Sequence, residues 1–145
     1  MVKRVLTVLS LVLVFACGKD TLETKPTIKV KDLNGTQIPP GAILRVTLEF
    51  SDKEGDLGAG ELTYIRDRQN IRPVPGTFDK ADTARYPLPV FPDRETGDIE
   101  VDIPYDFMDE DPNDNDTMVF RFMVIDRAGN KSDTITSAQV VARPF

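Results

Sequence analysis

Hydrophobic and polar residues alternate with a period of two over most of the chain from Thr27 onward, and no long stretch shows the spacing of an amphipathic helix. The segment AILRVTLEF sets Leu44, Val46, Leu48 and Phe50 on one face and Arg45, Thr47 and Glu49 on the other, the pattern of a half-buried strand. DIEVDIPY repeats it, with Ile99, Val101, Ile103 and Tyr105 opposed to Asp98, Glu100 and Asp102. TMVFRFMVID is apolar on both faces apart from Arg121, which predicts a central strand. Shorter strands are predicted at TIKV from Thr27, ELTYI from Glu61, YPLPVF from Tyr86 and TITSAQVV from Thr134. Pro87 and Pro89 cannot donate to a ladder, so the third of these belongs on an edge or in a loop. Turns are marked by Asn34 and Gly35, by Pro39, Pro40 and Gly41, by Thr96 and Gly97, and by Ala128, Gly129 and Asn130. Seven short strands punctuated in this way predict an all-β fold, an antiparallel β-sandwich over residues 27–145.

Ahead of that region the pattern changes. Lys3 and Arg4 precede an apolar run from Val5 to Ala16, broken only by Thr7 and Ser10, and small Ala16 stands before Cys17, the single cysteine. Secretory signals end this way, and the run is shorter than the roughly 20 residues that a membrane-spanning helix needs. VFAC, Val14 to Cys17, resembles the lipobox of bacterial lipoproteins, in which a peptidase cuts before the cysteine and the new N-terminal cysteine is acylated. Phe15 is bulkier than that motif usually carries. The resemblance implies a lipoprotein signal peptide over residues 1–16, then a lipidated Cys17 with a flexible tether through residue 26, where GKDTLETK has no hydrophobic pattern. The alternatives are a plain signal peptide with an incidental cysteine, or a short buried helix. Each buried methylene of an acyl chain contributes about 0.8 kcal/mol, so two or three chains hold a domain on the lipid bilayer durably. Lys19, Asp20 and Glu23 resemble the charged signal that sends lipoproteins of the Bacteroidota to the outer face of the cell, which implies an outer-membrane, surface-exposed address.

Composition narrows the chemistry. A chain of 145 residues with 40% hydrophobic and 29% charged residues fits one domain plus an appendage. One cysteine permits no internal disulfide, and the absence of histidine removes histidine-based triads and nearly all zinc sites. With 24 acidic and 18 basic residues the formal net charge is -6, and loss of Lys3 and Arg4 with the signal peptide takes it to -8. Such a field repels phosphate, so no nucleic acid is expected as a partner.

FSDKEGDLG, Phe50 to Gly58, followed far downstream by FMVIDRAGNKSD, Phe122 to Asp133, resembles the immunoglobulin-like or fibronectin-type-III-like domains of small surface lipoproteins in the Bacteroidota. In those domains an acidic glycine loop follows the second strand and an Asp-x-Ala-Gly-Asn turn joins the last two. The resemblance covers most of residues 27–142 and implies an immunoglobulin-like strand order. Tryptophan, a disulfide pair and a tyrosine near the start of the sixth strand are missing, so this is not an antibody-type domain.

Three patterns carry candidate chemistry. Asp52, Glu54 and Asp56 alternate in the acidic loop, with Gly55 and Gly58 permitting a tight backbone, and converging carboxylates are what calcium requires. The spacing is not that of an EF-hand, because Leu57 and Thr63 stand where its glycine and glutamate belong. The implied topology places the last turn at the same end of the sandwich, which brings Asp126, and Asn130 after it, toward Asp52 and Asp56. The alternative is that these carboxylates only solvate a turn. A second acidic run, DEDPNDND from Asp109 to Asp116, is expected at the opposite end as a solvated loop, with an independent cation site or a docking surface as alternatives. The proline-rich stretch from Arg66 to Glu95 is expected to be irregular, its arginines and aromatics forming a contact surface or a frayed edge. Finally, Asp followed by Thr and then Leu, Ala, Met or Ile occurs four times and resembles the O-glycosylation sequon of exported Bacteroidota proteins. Thr21 and Thr83 are the candidate acceptors, the alternative being turns that hand over to strands.

The expected function is that of a non-catalytic binding or structural module of the bacterial envelope, anchored through acylated Cys17, with an envelope protein or glycan as partner and a calcium-stiffened loop end. The alternative is a carbohydrate-active hydrolase built on paired carboxylates, since Asp and Glu are the catalytic acids in supply. Against it, no carboxylate is framed by pocket-forming aromatics.

Overall fold

The computed structural model describes residues 24–76 and 80–145. The signal peptide, Cys17 and Thr21 lie outside the described residues. Among the described residues nine strands follow in order: β1 (Thr27–Leu33), β2 (Gln37–Ile38), β3 (Ile43–Ser51), β4 (Glu61–Arg68), β5 (Thr83–Pro87), β6 (Thr96–Pro104), β7 (Asp116–Ile125), β8 (Ile135–Thr136) and β9 (Val140–Ala142). A single helical turn, α1 (Tyr105–Met108), follows β6. One sheet has the order β1-β3-β6 and the other β2-β9-β7-β4-β5, with β8 also on β7. All pairings are antiparallel except β2 with β9. The two sheets form the predicted all-β sandwich. With β2 taken as the continuation of β1 on the opposite sheet, the strand order is the immunoglobulin-type one.

Period-two alternation explains the core directly. Leu44, Val46, Leu48 and Phe50 of β3 face Met118, Phe120, Phe122 and Val124 of β7 across the sandwich, all of them buried. β7 is central as expected, paired with β4 on one side and with β8 and β9 on the other. Tyr64 of β4 sets the middle of the aromatic cluster, with Phe107 and Phe120 edge-on at 5.3 and 6.2 Å.

β1 runs on to Leu33 beyond the expected TIKV, and four other elements depart from their expected boundaries. β4 runs on to Arg68 rather than ending at Ile65, because the inward phase of Leu62 and Tyr64 continues through Arg66. The edge strand is Thr83–Pro87 and stops where Pro87 ends its donor capacity, so Leu88 to Phe91 is not strand. Thr96 and Gly97 open β6 instead of forming a turn, and a side chain at 97 would collide with the Phe50 ring at 2.8 Å. TITSAQVV breaks into two short pieces. The Ser132 and Ser137 hydroxyls accept the Val124 and Phe120 amides at 3.0 and 2.9 Å, which satisfies β7 where a continuous partner strand is missing.

Candidate metal centre

Asp52 continues the inward phase of β3 by one step beyond Phe50, which places a carboxylate at the end of the core rather than on its surface. The chain then turns back on itself. Gly55 adopts φ +72°, its amide donates to the Asp52 carbonyl at 3.1 Å, and a Cβ there would meet the Arg94 backbone nitrogen at 3.1 Å. Leu57 is wholly buried and plugs this end of the sandwich. Gly60 lies so close to β7 that a Cβ would stand 2.1 Å from the Ile125 carbonyl, and this approach fixes the loop beside Asp126. From the other side, the Arg127 amide donates to the Asp56 carbonyl at 3.2 Å.

These constraints bring Asp52, Asp56 and Asp126 together, each offering one carboxylate oxygen within 4.8 Å of the others. Asp52 is 1% and Asp126 4% exposed. Asp52 Oδ2 and Asp56 Oδ1 are buried and have no hydrogen-bond partner. Asn130 reaches the cluster through Asp126, donating its backbone amide to Oδ1 at 2.8 Å and its side-chain amide to Oδ2 at 2.9 Å. Glu54 is exposed and its carboxylate stays outside the cluster; its contribution is a backbone amide donated to Asp52 Oδ1 at 3.3 Å. The neighbouring arginines are engaged elsewhere, Arg94 over the Phe91 ring at 4.8 Å and Arg127 with Asp93 at 3.6 Å.

Burial pushes the Asp52 carboxyl above its ordinary value, and the charges of Asp56 and Asp126 add to the effect against the backbone amides of Glu54 and Asp56. An orphan acceptor in a buried anionic cluster is costly unless a cation or proton satisfies it. The donor set is all hard oxygen, and opposite ligands on a calcium ion stand about 5 Å apart, so the spacing fits calcium.

The second acidic run does lie at the opposite end, and its middle, Pro112 to Asn115, is exposed as expected, but Glu110 and Asp116 turn inward. Glu110 is 2% and Asp116 1% exposed. Arg66, also buried, donates Nη2 to Glu110 Oε1 at 2.6 Å and to Asp82 Oδ1 at 3.1 Å, and Nη1 to the Phe107 carbonyl. Arg68 donates Nε to Glu110 Oε2 at 2.6 Å and Nη1 to Asp82 Oδ2 at 3.0 Å. Asp116 Oδ2 accepts the amides of Glu110 and Asp111 at 2.5 and 2.8 Å, and its Oδ1 accepts Asn70 Nδ2 at 2.9 Å. Arg66 and Arg68, two of the arginines expected on an irregular surface, are therefore the tie that fastens the stretch after β4 to α1 and β7, while Arg72 and Arg85 are exposed. Thr83, the candidate glycosylation residue among the described ones, is exposed at the start of β5.

No protein-family model and no curated protein matches the chain. Among solved structures it is similar to a β-glucosidase from Listeria innocua in complex with glucose, at 11% identity and TM-score 0.39 over 83% of this chain and 16% of that one. It is also similar to the PmoD soluble domain from Methylocystis sp. ATCC 49242, at 16% identity and TM-score 0.33 over 81% and 88% of the two chains. A third is a Niemann-Pick type C2 protein from Japanese carpenter ant, at 14% identity and TM-score 0.35 over 83% and 89%. The chain spans less than a fifth of the glucosidase.

Proposed function

We propose that this chain is a non-catalytic binding or structural module of the bacterial envelope, anchored by lipid on Cys17 and closed at one end of its sandwich by calcium. The observation that carries the calcium part is the pair of buried, partnerless oxygens on Asp52 and Asp56 in a cluster completed by Asp126. A glycosidase needs two carboxyls facing a concave pocket that admits a sugar ring, whereas Asp52 and Asp126 are closed off from solvent, and Asp98 and Asp102 beside the inter-sheet cleft are held by Lys31 and Arg45. The anchor rests on the order of basic start, apolar run, Ala16 and Cys17.

Calcium titration against thermal unfolding tests the site. With a dissociation constant near 0.1 mM, as in extracellular modules, about 1 mM calcium adds about 1.4 kcal/mol and raises the melting temperature by about 5 °C. EDTA reverses the shift, and Asp56→Asn abolishes it. Protonation competes with the ion, so the shift shrinks as pH falls through the raised Asp52 value. An unchanged melting temperature with calcium in excess overturns this part. Separately, Cys17→Ser is expected to move the protein from the membrane to the soluble fraction while its calcium response stays intact. A variant that remains in the membrane pellet removes the anchor.

A further inference from the structure

β6 is the outer strand of the three-stranded sheet. It pairs with β3 from Thr96 to Pro104, and among the described residues no strand lies on its other side. No proline interrupts that edge before the last of its nine residues, and what guards it is negative charge, Asp98, Glu100 and Asp102, which repels a like-charged strand and not a basic one. β5, the corresponding edge of the other sheet, is five residues long and ends in Pro87. Between the two edges the sheets part, leaving a cleft of about 330 Å³ floored by Leu62, Tyr64, Leu88, Phe91, Ile99 and Val101. On the outward side of the same strand stand Asp98, Glu100 and Asp102, and no lysine or arginine lines the cleft. Asp98 and Asp102 are bridged to Lys31 and Arg45 at 2.6 and 2.8 Å, on the side facing β3. Glu100 makes no ion pair among the described residues.

Together these features define the chemistry of an occupant: an open row of amides and carbonyls, an apolar slot on one side of it and carboxylates on the other. We propose that β6 accepts an added strand, an extended segment of a partner protein in which apolar and basic residues alternate. Successive side chains of a strand point to opposite faces, so the apolar ones enter the cleft while the basic ones lie along Glu100 and its neighbours. The partner's backbone pairs with the free edge. A small ligand would use the cleft and leave the edge unpaired. A second copy is a poorer occupant: β6 against β6 opposes carboxylates, and the basic strand β1 has Lys29 and Lys31 already bound to Glu49 and Asp98 at 2.8 and 2.6 Å. The proposal rests on the reading of the chain as a binding module and names the surface through which it binds.

The test uses the full chain in detergent and fluorescent peptides of nine residues, the length of β6. The peptides are alternating Lys and Val, the same composition in blocks, alternating Glu and Val, and the first one N-methylated at every second residue in either register. The alternating basic peptide is expected to bind at least about tenfold more tightly than the block and acidic peptides. N-methylation in one register only is expected to abolish binding, because only one set of amides faces β6. Glu100→Lys, at an exposed position, is expected to weaken binding about tenfold with the melting temperature unchanged. Equal binding of the block peptide, indifference to N-methylation in both registers, or no binding at about 1 mM overturns the proposal. Self-association abolished by Glu100→Lys overturns it in favour of a second copy. The peptide titrations are run at one fixed calcium concentration and read binding at β6, whereas the calcium titration reads thermal stability without peptide and the fractionation reads the anchor, so failure of this proposal and failure of that reading are told apart.

Discussion

Glu110→Gln is expected to lower the unfolding free energy by about 3–5 kcal/mol, a third or more of what an average domain possesses. Its carboxylate is the shared acceptor of Arg66 Nη2 at 2.6 Å, Arg68 Nε at 2.6 Å and Arg68 Nη2 at 2.7 Å, and the Lys80 amide adds a fourth bond at 3.3 Å. Arg66 has no solvent to fall back on, since its side chain is 0% exposed and its Nε already lacks an acceptor. Without the carboxylate, its remaining anion is Asp82 at 3.1 Å, whose side chain is 40% exposed. The large cost is that of stranding the guanidinium, since an intact buried pair contributes little beyond an apolar replacement. Urea unfolding at pH 7 measures it, and a loss below about 1 kcal/mol would show that water replaces the carboxylate.

The same group sets an acid limit. Burial alone raises the Glu110 value, but the Arg68 hydrogen bonds and the Arg66 charge outweigh it and leave the carboxyl below the ordinary 4.5. A depressed value in the fold means that the contribution is fully present above about pH 4.5 and is lost as pH falls through the lower, folded value. Glu110→Gln is expected to lack this acid step.

Leu57→Ala is expected to cost about 2–5 kcal/mol and to abolish the calcium response as well. Leu57 is 0% exposed and sits between Asp56 and Gly58, with its carbonyl accepting the Gly60 amide at 3.0 Å. Truncation leaves a cavity beneath the loop and frees Asp56 from the position that its neighbour fixes. Leu57→Met keeps the volume and is expected to cost less than about 1.5 kcal/mol with the calcium response retained. Denaturant melts with calcium and with EDTA separate the two effects. A truncated variant that still responds to calcium would show that backbone bonds alone hold the loop.

The sequence made the sandwich legible because β3 and β6 keep strict alternation over nine residues, which admits one buried face, while β7 is apolar on both faces and so reads as central. The approach of Asp126 to Asp52 followed from strand order, which places the two turns at one end. Glu54 lies outside the cluster because alternation along an extended chain does not survive the turn that begins after Asp52, where Gly55 takes a positive φ and Glu54 is exposed. Arg66 was missed for a different reason. It occupies an inward step in phase with Leu62 and Tyr64, yet a charged residue reads as outward unless its counterion is known, and Glu110 is 44 residues away. Gly97 looked like a turn because the requirement for no side chain, set by the Phe50 ring, leaves the same mark on a sequence as the requirement for a bend.

The acidic loop is also laced to the segment after β5: the Ala59 amide donates to the Pro89 carbonyl at 3.2 Å, Leu88 to Gly60 at 2.8 Å, Arg94 to Gly55 at 3.2 Å and Asp52 to Glu95 at 2.7 Å. That segment carries Leu88 and Phe91, two walls of the inter-sheet cleft. Fraying of the pole that holds the three carboxylates is thereby expected to reach the mouth of the groove, and hydrogen exchange in chelator should spread through both as one cooperative unit. The opposite pole, which carries its own counterions, should keep its protection. By thermodynamic reciprocity, if the proposed calcium steadies the groove, then whatever steadies the groove tightens the grip on calcium.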